Sequence, residues 1–170
     1  MAIPQLFMRH TDIAAIPRLS LPNGIELVRH CDDMESQWEE LIKKAFGTRY
    51  SFEAMIKNGG DYAPDKVLYL RTAGRLVATT TAVEKDMFPG EGWIRMVGVD
   101  PDYRGMGFGR LIVVAALESL CQRGYKTAVL STDDDRLSAI RLYYSMGFRP
   151  IITHESHKER WEKIMPLLEK

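Results

Sequence analysis

Residues 97–111, with the sequence VGVDPDYRGMGFGRL, combine glycine and arginine in a pattern that suits phosphate binding. Three alternating glycines and two flanking arginines make up the loop, namely Gly105, Gly107, Gly109, Arg104 and Arg110. A backbone without Cβ atoms can bring several amide groups close to one anion, and the arginines can donate charge-assisted hydrogen bonds to it. An apolar run before the loop and a longer one after it indicate a strand and a helix, whose positive N-terminal end also favours anions. The segment therefore predicts a phosphate cradle; a glycine-rich turn before a core helix is the alternative.

The spacing of the glycines excludes two common nucleotide-binding loops. The dinucleotide fingerprint reads G-x-G-x-x-G, whereas this loop reads G-x-G-x-G and continues with Arg110. A Walker loop ends in Gly-Lys-Ser or Gly-Lys-Thr, which this segment lacks.

The periodicity of apolar residues predicts the elements that hold this loop. Strands are predicted at residues 25–30, 66–72, 75–85, 93–99, 127–131 and 148–153. Helices are predicted at residues 51–56, 111–122, 137–146 and 157–169, with another ending before Gly47 and a break in the last near Pro166. The strand–helix–strand unit over residues 93–131 predicts a parallel pair with a right-handed crossover, beside strands that can form an antiparallel meander.

The composition is that of one globular domain. The chain has 170 residues, enough for a substantial core, and we expect an N-terminal arm at residues 1–24 before a domain at residues 25–170. Lys plus Arg and Asp plus Glu each number 23, and this balance argues against bulk nucleic-acid binding.

The cysteines and the N-terminus indicate the compartment. Cys31 and Cys121 lie far apart without zinc-ligand spacing, so we expect neither a disulfide nor a metal site, and a reducing cytoplasm fits. The first ten residues lack the apolar core of a signal peptide, and no apolar run is long enough to span a membrane. We therefore expect a cytoplasmic protein without membrane contact.

A second motif lies downstream of the glycine loop, where residues 139–148 read AIRLYYSMGF. It is similar to the A-x-x-L-Y-x-x-x-G-F helix end of the GNAT superfamily of acyl-CoA-dependent N-acyltransferases. The loop with Arg104, Gly107 and Gly109 resembles the [Q/R]-x-x-G-x-[G/A] motif of the same family. The resemblance implies an α/β (α+β) fold with a central mixed, mostly antiparallel sheet, a splayed parallel pair and flanking helices.

The resemblance also implies a donor, acetyl-CoA or a related acyl-CoA. Its pyrophosphate is expected on the amides of residues 104–110, and its pantetheine along the strand edge at residues 97–99, where a backbone N–H can stabilise the developing oxyanion. The residues that we assign to the coenzyme are Val97, Gly98, Val99, Arg104, Gly105, Met106, Gly107, Phe108, Gly109, Arg110, Arg136 and Ser138.

Tyr143 occupies the position of the family tyrosine that contacts the coenzyme sulfur. Its expected role is to protonate, or donate a hydrogen bond to, the departing thiolate. The alternative is a core tyrosine whose hydroxyl is bonded to backbone.

The sequence departs from the family pattern at two places. Arg136 stands where many members have an asparagine, and an arginine there can contact phosphate or the adenine ribose. The strand at residues 93–99 lacks the glutamate that many members use as a base. The nearest carboxylates are Glu84, Asp86 and Glu91; Glu84 or Glu91 can act through a water, or can be merely solvated charges.

These observations predict an N-acetyltransferase that transfers an acetyl group to a primary amine of a small molecule or peptide, by direct attack in a ternary complex. The main alternative is a non-catalytic acyl-CoA-binding regulatory module, and a weaker one is a protein that binds another diphosphate. We expect the acceptor wall at residues 46–62, 84–92 and the C-terminal tail. A homodimer is possible, through the N-terminal arm or the last helix.

Overall fold

One mixed sheet of seven strands forms the centre of the molecule. The computed structural model describes residues 3–169. The strands are β1 (Leu6–His10), β2 (Ile25–Arg29), β3 (Val67–Thr72), β4 (Arg75–Glu84), β5 (Gly92–Val99), β6 (Ala128–Thr132) and β7 (Arg149–Ile151). Their order across the sheet is β2-β3-β4-β5-β6-β1-β7, and the pair β5–β6 is parallel whereas the other five are antiparallel. The predicted fold class is thereby confirmed.

Four helices flank the sheet, namely α1 (Glu35–Phe46), α2 (Phe108–Gln122), α3 (Leu137–Ser145) and α4 (Glu155–Leu168). Helix α1 ends as predicted at Gly47, which adopts the left-handed conformation (φ 72°) and donates its N–H to the carbonyl of Lys43. Helix α2 begins three residues earlier than predicted, because Gly107 already serves as its N-cap. Within residues 3–169, no helix combines the length and apolar character that a membrane span requires.

Helices α1 and α2 cover opposite faces of the sheet, as the alternation of side chains along β3 demonstrates. Val67 and Tyr69 pack in one cluster with Trp38 of α1. Leu68 and Leu70 belong to the larger cluster, which contains the apolar side of α2. A strand buried on both sides reads as a continuous apolar run, as β3 does.

The two parallel strands separate at their C-terminal ends. Pairing between β5 and β6 runs from Gly92 to Ile94 and stops there, so residues 95–99 have no strand neighbour on the side away from β4. The ladder with β4 also shifts register in this region, and Met96 adopts a positive φ of 53°. Such a bulge bends the strand and re-aims its side chains.

The N-terminal segment contributes strand β1, which the periodicity did not identify. Leu6 and Met8 are fully buried and the strand lies between β6 and β7, antiparallel to both. Residues 6–10 therefore lie inside the sheet, within the segment that we expected to form an extended arm. Strand β2 was recognised because apolar and polar residues alternate along it. Strand β1 is buried on both faces and lacks this alternation.

Two predicted helices differ in detail from those observed. The short helix expected at residues 51–56 is a π-helical turn, Glu53–Lys57. Helix α4 runs through Pro166 to Leu168 without the predicted break. Trp161 and Ile164 of α4 are buried in the main core, and this packing holds the helix against the fold.

Candidate active site

The glycine loop is anchored by Asp100, which is only 3% exposed. Its carboxylate accepts a hydrogen bond from the Asp102 N–H at 3.0 Å and another from Lys44 Nζ at 3.3 Å. Its own N–H donates to the Val77 carbonyl of β4 at 2.8 Å. The short helical turn Pro101–Tyr103 that follows is therefore fixed to both the sheet and α1.

The backbone after this turn leaves a set of amides open at the start of α2. Gly105 (φ 76°) and Gly107 (φ 87°) take the left-handed conformation, and a Cβ built on either would meet no atom within 4 Å. The N-cap Gly107 offers no side-chain acceptor, so the first-turn amides at residues 108–110 lack a partner within the helix. Open amides at the positive end of a helix dipole suit an anion. The loop thus fits the phosphate cradle predicted from its sequence.

The other residues that we predicted to form the loop include both exposed and buried side chains. Met106 is exposed, whereas Phe108 is buried and packs edge-to-face on Tyr103. A Cβ on Gly109 would lie 3.2 Å from Leu142 of α3, so this glycine allows the two helices to approach closely. The loop is thereby held between α1 and α3.

Both arginines of the loop have exposed side chains with one protein partner each. Arg104 Nη2 donates to the Ala45 carbonyl at 2.7 Å, near the end of α1, and Arg110 Nη2 donates to Ser145 Oγ at 2.8 Å. These contacts leave further N–H groups of each guanidinium for a ligand.

A cavity of about 240 Å³ occupies the gap between the splayed strands. Its wall comes from α1 and the segment after it, from β5 and β6, from α3, and from single residues of other elements. Val97 lines this cavity, whereas Gly98 faces α1, where a Cβ would lie 3.1 Å from Ile42 Cδ1. Val99 is half-buried beside the core of α2.

Tyr143 lines the same cavity from α3 and is 6% exposed. Within residues 3–169 its hydroxyl has no hydrogen-bond partner, in contrast to the backbone-bonded core tyrosine considered as the alternative. Burial raises the pKa of Tyr143 to about 12, although Arg136 opposes the shift. A tyrosine with this pKa keeps its proton at neutral pH and can act as a donor.

Arg136 and Ser138 lie at the start of α3, and only the first of them lines the cavity. The Arg136 guanidinium stacks 4.4 Å from the ring centroid of Phe46 and lies 3.4 Å from Asp133. Ser138 is exposed on the first helical turn.

The two glutamates considered as bases do not line the cavity with Tyr143. The Glu91 carboxylate accepts two hydrogen bonds from Arg9, at 2.8 and 2.9 Å. The Glu84 carboxylate accepts from the Tyr125 hydroxyl and, at 3.4 Å, from the Gly90 N–H. Glu84 borders a neighbouring open cavity, and the route from either glutamate to the first cavity would need a bridging water.

Three charged residues of the cavity wall were not singled out from the sequence. They are Lys85, Arg95 and Asp133. Lys85 belongs to the segment that we predicted to form the acceptor wall. Arg95 and Trp93 lie outside that segment, and the register between β4 and β5 brings them beside it. No local motif marks such positions.

Thiols and metal ligands are not gathered at the cavity. Cys31 is exposed, and its thiol donates a hydrogen bond to the Asp33 carboxylate, which raises the pKa of the thiol. Cys121 is half-buried on α2. Neither lines the cavity. Across residues 3–169, no group of three or more His, Cys, Asp or Glu side chains is arranged to hold a metal ion.

Comparison with known families identifies the class to which this fold and cradle belong. The model of the acetyltransferase (GNAT) family matches residues 32–148, which is more than half of the chain. The chain therefore belongs to the GNAT acetyltransferase family, and the membership predicted from the two motifs is confirmed.

Curated relatives share a name. The mycothiol acetyltransferase of Nocardia farcinica is 36% identical over 152 residues, covering 79% of this chain and 48% of that protein. The mycothiol acetyltransferase of Thermomonospora curvata is 40% identical over 142 residues, covering 78% of this chain and 47% of that protein. The chain thus spans about half the length of these relatives.

Solved structures share the fold. A GCN5-related N-acetyltransferase from Sphaerobacter thermophilus superimposes with a TM-score of 0.72 and 26% identity, over 86% of this chain and 48% of that one. A diaminobutyrate acetyltransferase from Paenibacillus lautus, solved with its substrate and coenzyme A, gives a TM-score of 0.61 at 17% identity, over 71% and 73% of the chains. The latter supports the fold alone. These comparisons do not support the homodimer considered from the sequence.

Proposed function

We propose that this protein is an N-acetyltransferase that transfers an acetyl group from acetyl-CoA to a primary amine by direct attack in a ternary complex. The observation that carries the proposal is the continuity of three features along one strand. The open amide edge of β5 leads from the cavity lined by Tyr143 to the cradle at Gly107.

The donor would lie along this strand. The cradle amides and Arg104 would bind its pyrophosphate, and Arg136 and Ser138, at the start of α3, would contact phosphate or ribose. The free edge of β5 can pair with the amides of the pantetheine arm, as an added strand would. The thioester supplies an activated acyl carbon, and the chain would position it and handle the charge and the protons that the transfer moves.

The chemistry follows from the groups around the cavity. The amine forms a bond to the acyl carbon while the carbon–sulfur bond breaks, and a β5 amide beyond Ile94 would stabilise charge on the acyl oxygen. Tyr143 donates its proton to the departing thiolate. The proton of the amine leaves through water towards Glu84 or Glu91. Because neither cysteine lines the cavity, direct transfer is favoured over an acyl-enzyme.

Coenzyme binding is the first test. Calorimetry with CoA and acetyl-CoA should give micromolar-scale affinity that ATP does not displace. The Gly107→Trp variant should lose this binding, because its indole would fill the open space above the cradle. The matched control is Gly24→Trp, since Gly24 has the same left-handed backbone (φ 83°) and open surroundings but lies in a turn before β2.

Each outcome of this test has a consequence. Absence of binding at millimolar CoA would remove the coenzyme assignment. Equal binding by the Gly107→Trp protein would move the phosphate site elsewhere, and displacement by ATP would favour a site for other diphosphates.

A non-catalytic acyl-CoA-binding module is the second candidate, favoured by one observation. Strand β5 carries no carboxylate, and both nearby glutamates are already hydrogen-bonded to protein groups. This candidate predicts coenzyme binding without transfer to any amine of a broad panel. Because the relatives are named for mycothiol, the panel should include mycothiol-related amines beside amino acids, polyamines and peptides.

A further inference from the structure

Four charged side chains line the cavity, and two of them neutralise each other. Asp133 lies 3.4 Å from Arg136 and accepts a hydrogen bond from Gln5 at 3.2 Å. The other two, Lys85 and Arg95, are both cations. The wall therefore carries an excess of positive charge on the side formed by β4 and β5.

Neither Lys85 nor Arg95 forms an ion pair with another residue between positions 3 and 169. Both side chains are half-buried; Arg95 Nη1 donates to the Gly59 carbonyl at 2.8 Å, and Lys85 Nζ lies 5.2 Å from the Trp93 ring centroid. Burial lowers the pKa of both groups, and the charge of Arg95 lowers that of Lys85 further. Two partly desolvated like charges without a counterion are unfavourable, and an anion between them would relieve this repulsion.

The anion is not the coenzyme phosphate. Strand β5 runs from Gly92 towards the cradle, and the four-residue step from Arg95 to Val99 corresponds to about 13 Å of extended chain. Arg95 lies in the first half of β5 and Lys85 follows the neighbouring strand β4, whereas the cradle comes after the last residue of β5. The pantetheine that would cover the distance between them carries no charge.

The nearby carboxylates do not neutralise these cations either. Asp61, Glu84 and Asp86 line the neighbouring open cavity, which Lys85 also borders. Asp61 is paired with Lys66, Glu84 accepts a hydrogen bond from the Tyr125 hydroxyl, and Asp86 is exposed and forms no ion pair within residues 3–169. The first cavity thus offers a site for an external anion.

We propose that the acceptor carries a carboxylate as well as its amine, and that Arg95 and Lys85 bind this carboxylate. The inference rests on the proposed function and names the substrate class of the same site. The planar fork of Arg95 matches the two oxygens of a carboxylate, and Lys85 adds a point charge. Tyr50 and Met55 line the same cavity and provide apolar contacts for the rest of a small amino acid.

Matched acceptors test the proposal. Each of a set of α-, β- and γ-amino acids is assayed with acetyl-CoA beside its carboxamide, and the acetylated product is measured by mass spectrometry. We expect the accepted compounds to be those with a carboxylate, with kcat/KM at least tenfold above the carboxamide. Neutral or cationic amines accepted equally well, or no carboxylate-bearing acceptor at all, would overturn the inference.

Variants locate the recognition. Lys85→Met and Arg95→Met should each raise KM for the amino acid at least tenfold and abolish its advantage over the carboxamide, while CoA affinity stays unchanged. If Arg95→Met fails to fold, Arg95→Lys is tested in its place, since it keeps the charge but replaces the planar guanidinium. Lys158→Met, an exposed site on α4, is the control. Unchanged selectivity in all cavity variants would contradict the assignment.

A second readout does not depend on turnover. Calorimetric titration of the CoA-bound protein with the amino acid and with its carboxamide compares the two affinities directly. If CoA itself does not bind, the proposed function fails. If CoA binds but the two titrations agree, only the carboxylate assignment fails.

Discussion

The proposed path of the donor has two ends, the glycine cradle and the cavity beyond β5, and they are built from different chemical groups. At the cradle end, backbone amides and left-handed glycines form the surface, and a single segment of sequence supplies them. At the other end, side chains form the surface, and they come from separate elements: Lys85 follows β4, Arg95 lies on β5, and Tyr50 and Met55 follow α1.

This difference separates two tasks. Backbone amides bind a phosphate whatever else the donor carries, so the cradle suits the part that all CoA thioesters share. Side chains at the acceptor end differ in charge and shape, and they can select among amines. Substitutions at the cradle should therefore weaken every reaction equally, whereas substitutions at Lys85 or Arg95 should change which acceptor is used.

Tyr143 lines the cavity from α3, and its loss should have the largest effect on turnover. We expect Tyr143→Phe to lower kcat by about 100-fold or more, because the departing thiolate would lose the proton donor proposed for it. CoA affinity and acceptor preference should not change, which would separate Tyr143 from both ends. Steady-state kinetics with an identified acceptor provide the measurement.

The matched control is Tyr144→Phe, since Tyr144 lies on the same helix as Tyr143 but its ring packs against Arg149 of β7. Equal turnover by the two variants would show that Tyr143 is a core residue without a role in proton transfer.

The contrast between the two ends also explains what the sequence could predict. The open loop conformation was predictable because it depends on glycines within one segment, and the place of Tyr143 on a helix because it belongs to a contiguous motif. Strand β1 was not recognised, since burial on both faces hides its period. The bulge at Met96 has no glycine to mark it, and Arg95 acquires its meaning only through the register with β4.

Burial of Tyr143 has a consequence for stability at high pH. Its pKa is about 12 in the folded protein and near 10 when unfolded, so the unfolded chain releases this proton first. The stabilisation is complete below pH 10 and is lost as the pH rises to about 12. By pH 11 the loss should reach about 1 kcal/mol.

Urea unfolding at pH 9 and pH 11 measures this loss. The Tyr143→Phe protein should lose about 1 kcal/mol less than the parent over this interval, because the phenyl ring has no proton to release. An identical loss in both proteins would contradict the assigned burial of the hydroxyl.

Asp100 tests how far the cradle depends on its anchor. Asp100→Ala removes the acceptor of the Asp102 N–H and the partner of Lys44, so we expect a decrease of about 1–2 kcal/mol in the free energy of unfolding. Looser positioning of the amides should weaken CoA binding several-fold. The exposed neighbour Asp102→Ala is the control, and an equal effect of both would show that Asp100 has no special role.

The smallest effect, on the proton route, should come from the glutamates. Glu84 is adjacent to Lys85, which borders both cavities, whereas Glu91 is held by two hydrogen bonds from Arg9. Water can therefore connect Glu84 to the amine more readily, and we expect Glu84→Gln to lower kcat/KM a few-fold near neutral pH with recovery at higher pH, where more amine is unprotonated. Glu91→Gln should weaken the contact between the loop before β5 and β1 without changing the pH profile. A shifted profile for Glu91→Gln alone would reverse this assignment, and unchanged profiles for both would leave solvent water as the base.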